Sequence, residues 1–185
     1  MRVITGTARG RRLKELEGRE TRPTTDRVKE GLFSIIQFDI EGRRVLDLFA
    51  GTGQLGLEAL SRGAERCTFV DQRREAAALV KENVKLCRFE DRSRVAQEDA
   101  LSFLSVCREK FDVVFLDPPY QSGLLEKSLK LLTQFDILQE HGIIVCESGT
   151  EWSVPALESP YETGREYRYG QIKLSLCRRA GSVSR

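Results

Sequence analysis

The stretch Asp47-Leu48-Phe49-Ala50-Gly51-Thr52-Gly53-Gln54-Leu55-Gly56 places G-x-G-x-x-G behind an apolar strand-like run and ahead of a helical one. Glycines there let the chain reverse tightly and leave helix N-terminal amides facing a ligand. A strand delivered into such a turn demands a parallel partner and a covering helix. The chain supplies them. Val45–Leu48 reads as the first strand, with a helix over 54–62 behind it; Cys67–Asp71 is the second, followed by a helix with Ala76, Val80, Val84 and Cys87 on one stripe. Arg94–Gln97, Phe111–Asp117 and Gly142–Glu147 are three further strands, and helices are expected around Leu101–Cys107 and Leu124–Thr133. Continuous apolar strands alternating with helices imply an α/β fold, a mostly parallel sheet covered on both faces.

Both ends depart from that alternation. Residues 2–16 read as extended chain around a Gly6–Gly10 turn. Arg22-Pro23-Thr24-Thr25 reads as a loop whose threonine caps a helix carrying Val28, Leu32, Ile35 and Ile36 on one face. At the other end Tyr161–Tyr169 and Gln171–Cys177 flank Gly170 as a hairpin, which implies an antiparallel strand at or near the sheet edge. The expected division is a basic extension and helix over 1–42, an α/β body over 43–179 and a tail over 180–185.

A chain of 185 residues, 40% hydrophobic and 31% charged, can bury a core without staples, so one soluble domain is expected. No apolar run approaches the ~20 residues of a membrane span, and the first residues lack a signal-peptide core. Five scattered cysteines without C-x-x-C and a single histidine, His141, offer no zinc spacing. Buried thiols in the reducing cytoplasm, no metal and no membrane are the expectations. Charge is uneven. Residues 1–29 hold nine Arg/Lys against four Asp/Glu, residues 165–185 six against one, and the middle fifteen against twenty-three. Two basic ends around an acidic body suggest a polyanionic partner, and Arg9, Arg11, Arg12, Arg22 and Arg27 are the candidate RNA contacts. The bland alternative is a solvated basic arm, with Arg22 and Arg27 pairing with Asp26 and Glu30.

Asp71 lies at the end of the second strand, twenty residues after Gly51, where a carboxylate can accept both hydroxyls of a ribose. NAD and S-adenosylmethionine share that adenosine. Asp47 separates them: just before the loop, its charge suits a cationic sulfonium or aminoacyl group and repels a pyrophosphate. Asp99, beside Ala100 at the end of the third strand, can read an adenine amine or cap the next helix. The fourth strand ends in Asp117-Pro118-Pro119-Tyr120. Two prolines stiffen this loop and free the Pro118 carbonyl, which with Asp117 can accept both hydrogens of a planar amine, while Tyr120 stacks on a base. An exocyclic amine is a poor nucleophile because its lone pair is delocalised. Hydrogen bonds to both N–H groups turn that lone pair toward an electrophile.

Asp47–Gly56 together with Asp117–Tyr120 resembles the amino-methylating class I S-adenosylmethionine-dependent methyltransferases. Arg22-Pro-Thr-Thr-Asp-Arg-Val-Lys-Glu30, Asp47-Leu-Phe-Ala-Gly-Thr-Gly53 and Leu57-Glu-Ala-Leu-Ser-Arg-Gly-Ala64 are similar to the bacterial 16S rRNA (guanine-966-N2)-methyltransferase family. The resemblance implies a Rossmann-like, seven-stranded sheet ordered 3-2-1-4-5-7-6 with strand seven antiparallel. It implies S-adenosylmethionine held by Asp47, Phe49, Gly51, Gly53, Asp71, Asp99 and Ala100, with Asp117, Pro118 and Tyr120 at the guanine. It also implies 16S rRNA in a small ribosomal subunit or assembly intermediate as partner, met by a monomer. Gln54 departs from the small residues frequent at its position. Adenine N6 or a protein glutamine amide is the competing target, and a non-catalytic cofactor-binding RNA module the competing class.

Overall fold

The computed structural model describes residues 1–16 and 25–181. The expected strand before the glycine loop is β1 (Arg44–Asp47), followed by α2 (Gln54–Ser61) and β2 (Arg66–Val70). Then come α3 (Arg74–Cys87), β3 (Ser93–Ala96), α4 (Ala100–Val106), β4 (Phe111–Leu116) and α5 (Leu124–Gln134). Last are β5 (Leu138–Gly149), β6 (Tyr161–Tyr169) and β7 (Ile172–Arg179), while α1 (Asp26–Ile35) precedes β1. One seven-stranded sheet is ordered β3-β2-β1-β4-β5-β7-β6. Strands β1 to β5 are mutually parallel; β7 runs antiparallel to β5, and β6 antiparallel to β7. The antiparallel strand therefore lies inside the edge, inserted between β5 and β6.

Two apolar layers cover the sheet, as alternation within the strands requires. Val45, Val113, Phe115 and Val145 face one layer with α1, α2 and the N-terminal arm; Leu46, Val114, Leu116 and Ile144 face the other with α4 and α5. Phe33 of α1 sets its ring 5.7 Å from Phe115 of β4, and the Arg62 guanidinium lies 4.7 Å over Phe33. Truncating a ring so buried typically costs about 3–5 kcal/mol.

β5 begins at Leu138, earlier than the apolar run shows. Gln139, Glu140 and His141 are polar and not buried, and a register shift separates the Phe111–Leu138 pair from Val113–Ile143. Hydrophobicity marks only the buried half of this strand. The cap of α1 is as expected, with the Thr25 hydroxyl accepting from the Val28 amide at 3.4 Å.

The arm is bound to the body. Val3, Ala8 and Leu13 enter the same core as α1 and α2. Glu58 of α2 accepts from the amides of Ile4 at 2.8 Å and Thr5 at 3.0 Å, and the Ser61 hydroxyl donates to the Thr5 carbonyl at 2.5 Å. Gly6 has φ +88°, and a Cβ there would come within 1.8 Å of the Ser61 carbonyl oxygen, so no other residue fits. Lys29 of α1, fully buried, donates to the Arg2 carbonyl at 2.6 Å and lies 3.6 Å from Glu58. Burial pulls Lys29 below the ordinary lysine range, opposed by the charges of Glu58 and Asp26.

Candidate active site

The carboxyl ends of the parallel strands open into a cleft of about 660 Å³, a size suited to a cofactor. Asp47, Phe49, Gly51, Asp71, Asp99, Ala100, Asp117, Pro118 and Tyr120 all line it, so nine of the expected site residues meet in one place. Gly53 does not line it. Gly53 adopts φ +82° as the N-cap of α2, and shapes the loop from behind. Gly56 serves packing: a Cβ there would fall 2.3 Å from the Phe69 ring.

The loop is held open by its own carboxylates. Asp47, 2% exposed, accepts from the Gly56 amide at 3.0 Å. Burial pushes its carboxyl up to about 7; the Gly56 amide opposes this and the Asp71 charge adds to it. Asp71 accepts from the Gly51 amide at 3.0 Å through Oδ2, and from the Arg73 amide at 3.0 Å through Oδ1. The Arg73 guanidinium then grips both oxygens, Nε to Oδ1 and Nη2 to Oδ2, each at 3.1 Å. Each oxygen already accepts two bonds, so any further donor must compete with Arg73 for this carboxylate. Asp99 caps α4, accepting from the Ser102 amide at 2.9 Å.

The second half of the cleft is the loop after β4. Pro118 is buried yet faces the cleft, whereas Tyr120 is 42% exposed at its rim. The Ser122 hydroxyl donates to the Pro119 carbonyl at 2.7 Å and accepts from the Leu124 amide at 3.3 Å, joining the loop to α5. Burial raises the Asp117 carboxyl well above the usual carboxylate range, and the neighbouring charges of Glu147 and Asp47 push it further.

Sequence reasoning missed five contributors. Met1 and Leu16 reach the cleft because the arm is laid beside it, and Asn83 of α3 ties the two together. Its side-chain amide donates to the carbonyls of Thr52 at 2.9 Å and Lys14 at 3.1 Å. Arg73 and Glu147 are the others. Asn83 was legible only as a polar residue within an apolar helical stripe, and Glu147 as an acid ending an apolar strand.

The candidate RNA contacts are not equivalent. Arg9 and Arg12 are exposed on the arm, but Arg11 donates to the Leu86 carbonyl at 2.6 Å near the C-terminus of α3. Cations there satisfy orphan carbonyls. Arg27 is exposed on α1, and Asp26 pairs with Arg2 at 3.5 Å rather than with Arg27. Arg22 lies outside the described residues. At the other basic end Lys173, Arg178 and Arg179 pair with Glu166, Asp39 and Asp136. That end presents less free charge than its composition suggests, which shifts the polyanion argument to the arm.

Among the described residues no helix is long and apolar enough to cross a membrane. Residues 1–178 match the family described as conserved hypothetical protein 95. The chain is 40% identical to the Bacillus subtilis (strain 168) protein named "Putative rRNA methyltransferase YlbH", over 98% of this chain and 100% of the relative. It is 36% identical to "Ribosomal RNA small subunit methyltransferase D" of Escherichia coli (strain K12), over 97% of this chain and 90% of the relative. The solved structure "Putative methyltransferase yhhF from Escherichia coli" superposes with TM-score 0.89 at 35% identity, covering 98% of this chain and 99% of that one.

Proposed function

The chain belongs to the conserved hypothetical protein 95 family, and from that premise we propose that it transfers a methyl group from S-adenosylmethionine to the exocyclic N2 of a guanine in 16S rRNA. The observation that carries the reading is the meeting of Asp117-Pro118-Pro119-Tyr120 with Asp47, Asp71 and Asp99 in one cleft. The relatives named as rRNA methyltransferases support the substrate class.

The residues present fit the cofactor. Burial raises the Asp47 carboxyl to about 7, and a cation placed beside it would favour its charged form. The Gln54 side-chain oxygen, at the start of α2 and on the cleft, is buried without a hydrogen-bond partner. Such an orphan acceptor costs about 1–3 kcal/mol and suits an incoming ammonium group. Asp71 supplies acceptors for the ribose once Arg73 yields. When bound, S-adenosylmethionine supplies a methyl group on a sulfonium, already activated for transfer.

The work left to the protein is orientation, where effective molarities reach ~10⁵–10⁸ M. Asp117 and the Pro118 carbonyl accept the two N2 hydrogens and turn the nitrogen lone pair into the cleft. Tyr120 stacks on the extruded base from the rim. Solvent at the mouth of the cleft takes the proton that the amine releases when the new N–C bond forms. Arg9 and Arg12, exposed on the arm, hold phosphates. The substrate is a small subunit or its assembly intermediate in the bacterial cytoplasm, approached by a monomer, and pre-formed RNA shape contributes to docking.

Transfer of tritiated methyl to unmodified small-subunit particles, tRNA, DNA and protein tests the reading. Label in 16S rRNA, recovered as N2-methylguanosine on nucleoside mass spectrometry, is expected. Label on adenine N6 or on protein would overturn it.

A further inference from the structure

Strands β1, β4 and β5 are neighbours, and each carries a carboxylate at its open end. Asp47 pairs in register with Phe115, and Leu116 with Cys146, which sets Asp117 beside Glu147 one residue further on. Val45, Val113, Phe115, Ile143 and Val145 face the layer containing α1 and α2. Period-two alternation therefore brings Asp47, Asp117 and Glu147 to the same face, with Asp117 and Glu147 side by side and Asp47 two residues lower on the neighbouring strand. All three line the cleft. Glu147 is 4% exposed and follows the buried run Ile143, Ile144, Val145 and Cys146 of β5 into the cleft.

The guanine reading gives Glu147 a task. A flipped base is read on its Watson–Crick edge. Guanine presents there the two N2 hydrogens and, one ring position along, the N1–H; adenine and 2-aminopurine present a bare N1 acceptor instead. With Asp117 and Pro118 occupied by N2, the N1–H points to a neighbouring position and needs its own acceptor, since an unpaired buried donor is costly. An ionised carboxylate only accepts. Resting on the guanine-N2 reading, we propose that Glu147 accepts the target N1–H and is the residue that restricts the enzyme to guanine. A base with a lone pair at N1 would set two acceptors against each other. Burial and its two acidic neighbours raise the Asp117 carboxyl, and the carbonyl oxygen of its protonated form still accepts an amine hydrogen.

The test uses small-subunit particles rebuilt with guanine, 2-aminopurine or 1-methylguanine at the methylated position, and single-turnover transfer by the full-length protein. Wild type should prefer guanine over 2-aminopurine by at least ~10²-fold, because a site built around a hydrogen bond rejects the analogue lacking it. Glu147→Gln can offer either an oxygen or an amide N–H, so its preference should fall by about tenfold or more while cofactor affinity is kept. Glu147→Asp should react more slowly with the preference preserved. Wild type should also fail on 1-methylguanine, a readout independent of how any variant folds. An unaltered preference in Glu147→Gln, or ready transfer by wild type to 1-methylguanine, overturns the assignment. If wild type transfers nothing to the guanine particle, the guanine-N2 reading itself falls, and this inference with it.

Discussion

Arg73 holds both carboxylate oxygens of Asp71, two residues before it in sequence, with Nε–Oδ1 and Nη2–Oδ2 each at 3.1 Å. The carboxylate proposed to hold the ribose is thus already engaged, and the two partners should respond oppositely to truncation. Asp71→Ala should weaken S-adenosylmethionine binding by about 1.5–3 kcal/mol, the worth of charge-assisted hydrogen bonds. Arg73→Ala should strengthen it by up to about fivefold, because a part-exposed ion pair is worth at most ~1 kcal/mol. Titration calorimetry on both variants decides this. Weaker binding in Arg73→Ala would mean that Arg73 stays with Asp71 in the bound state.

Asp47 predicts a proton linkage. Its carboxyl, pushed up to about 7 by burial, is mostly protonated at pH 6 in the free protein, and a cation placed beside it must drive the proton off. Calorimetry at pH 6 in buffers of different ionisation heats should show release of nearly one proton per S-adenosylmethionine, absent in Asp47→Asn. The same shift sets a sign for stability. A folded-state value of about 7 stands above the ordinary 3.8, so this contribution is complete below about pH 4 and is lost as pH rises through 7. Asp47→Asn should flatten that limb of the ligand-free stability curve, and an unchanged limb would assign the slope to other groups.

Glu58 joins the arm to α2. It is fully buried with Lys29, and accepts from Arg62 at 2.9 Å as well as from the arm amides. Glu58→Ala should cost about 3–5 kcal/mol, because it strands a buried ammonium together with the Ile4 and Thr5 amides. Hydrogen exchange should quicken at residues 3–8 before the body opens. Equal protection in the variant would show that Val3, Ala8 and Leu13 hold the arm by packing alone.

Arg9 and Arg12 are exposed, whereas Arg11 donates to Leu86. If the first two contact phosphates, the double alanine variant should lower the salt slope of RNA binding by about 1.4, at ~0.7 per single-strand phosphate. Arg11→Ala should leave the slope nearly unchanged and loosen the end of α3. A solvated arm predicts no change in either variant.

The repeating unit was open to reading because buried parallel strands are continuous apolar runs. The glycine turn and Asp71 follow one of them at fixed spacing, and Asp117–Tyr120 another. What periodicity could not reveal was polar. The first half of β5 presents Gln139, Glu140 and His141, which fall in the register shift between the Leu138 and Ile143 pairs with β4. Nor does composition distinguish a free cation from one already paired. Arg11, Lys173, Arg178 and Arg179 counted toward basic ends, yet each has a partner in the fold. Glu147 escaped notice because an acid closing a buried strand resembles an ordinary surface terminus until the register sets it beside Asp117.

The central claim is that Asp117 acts on the incoming amine rather than on the cofactor. Single-turnover methyl transfer to unmodified small-subunit particles, measured beside calorimetric S-adenosylmethionine affinity, tests it for Asp117→Ala and Asp117→Asn. The alanine variant should lose at least ~10²-fold in rate with affinity within about twofold of wild type, and the asparagine variant should lose less, because its amide oxygen still accepts. A wild-type rate in Asp117→Ala, or loss of cofactor binding in both variants, would contradict the account.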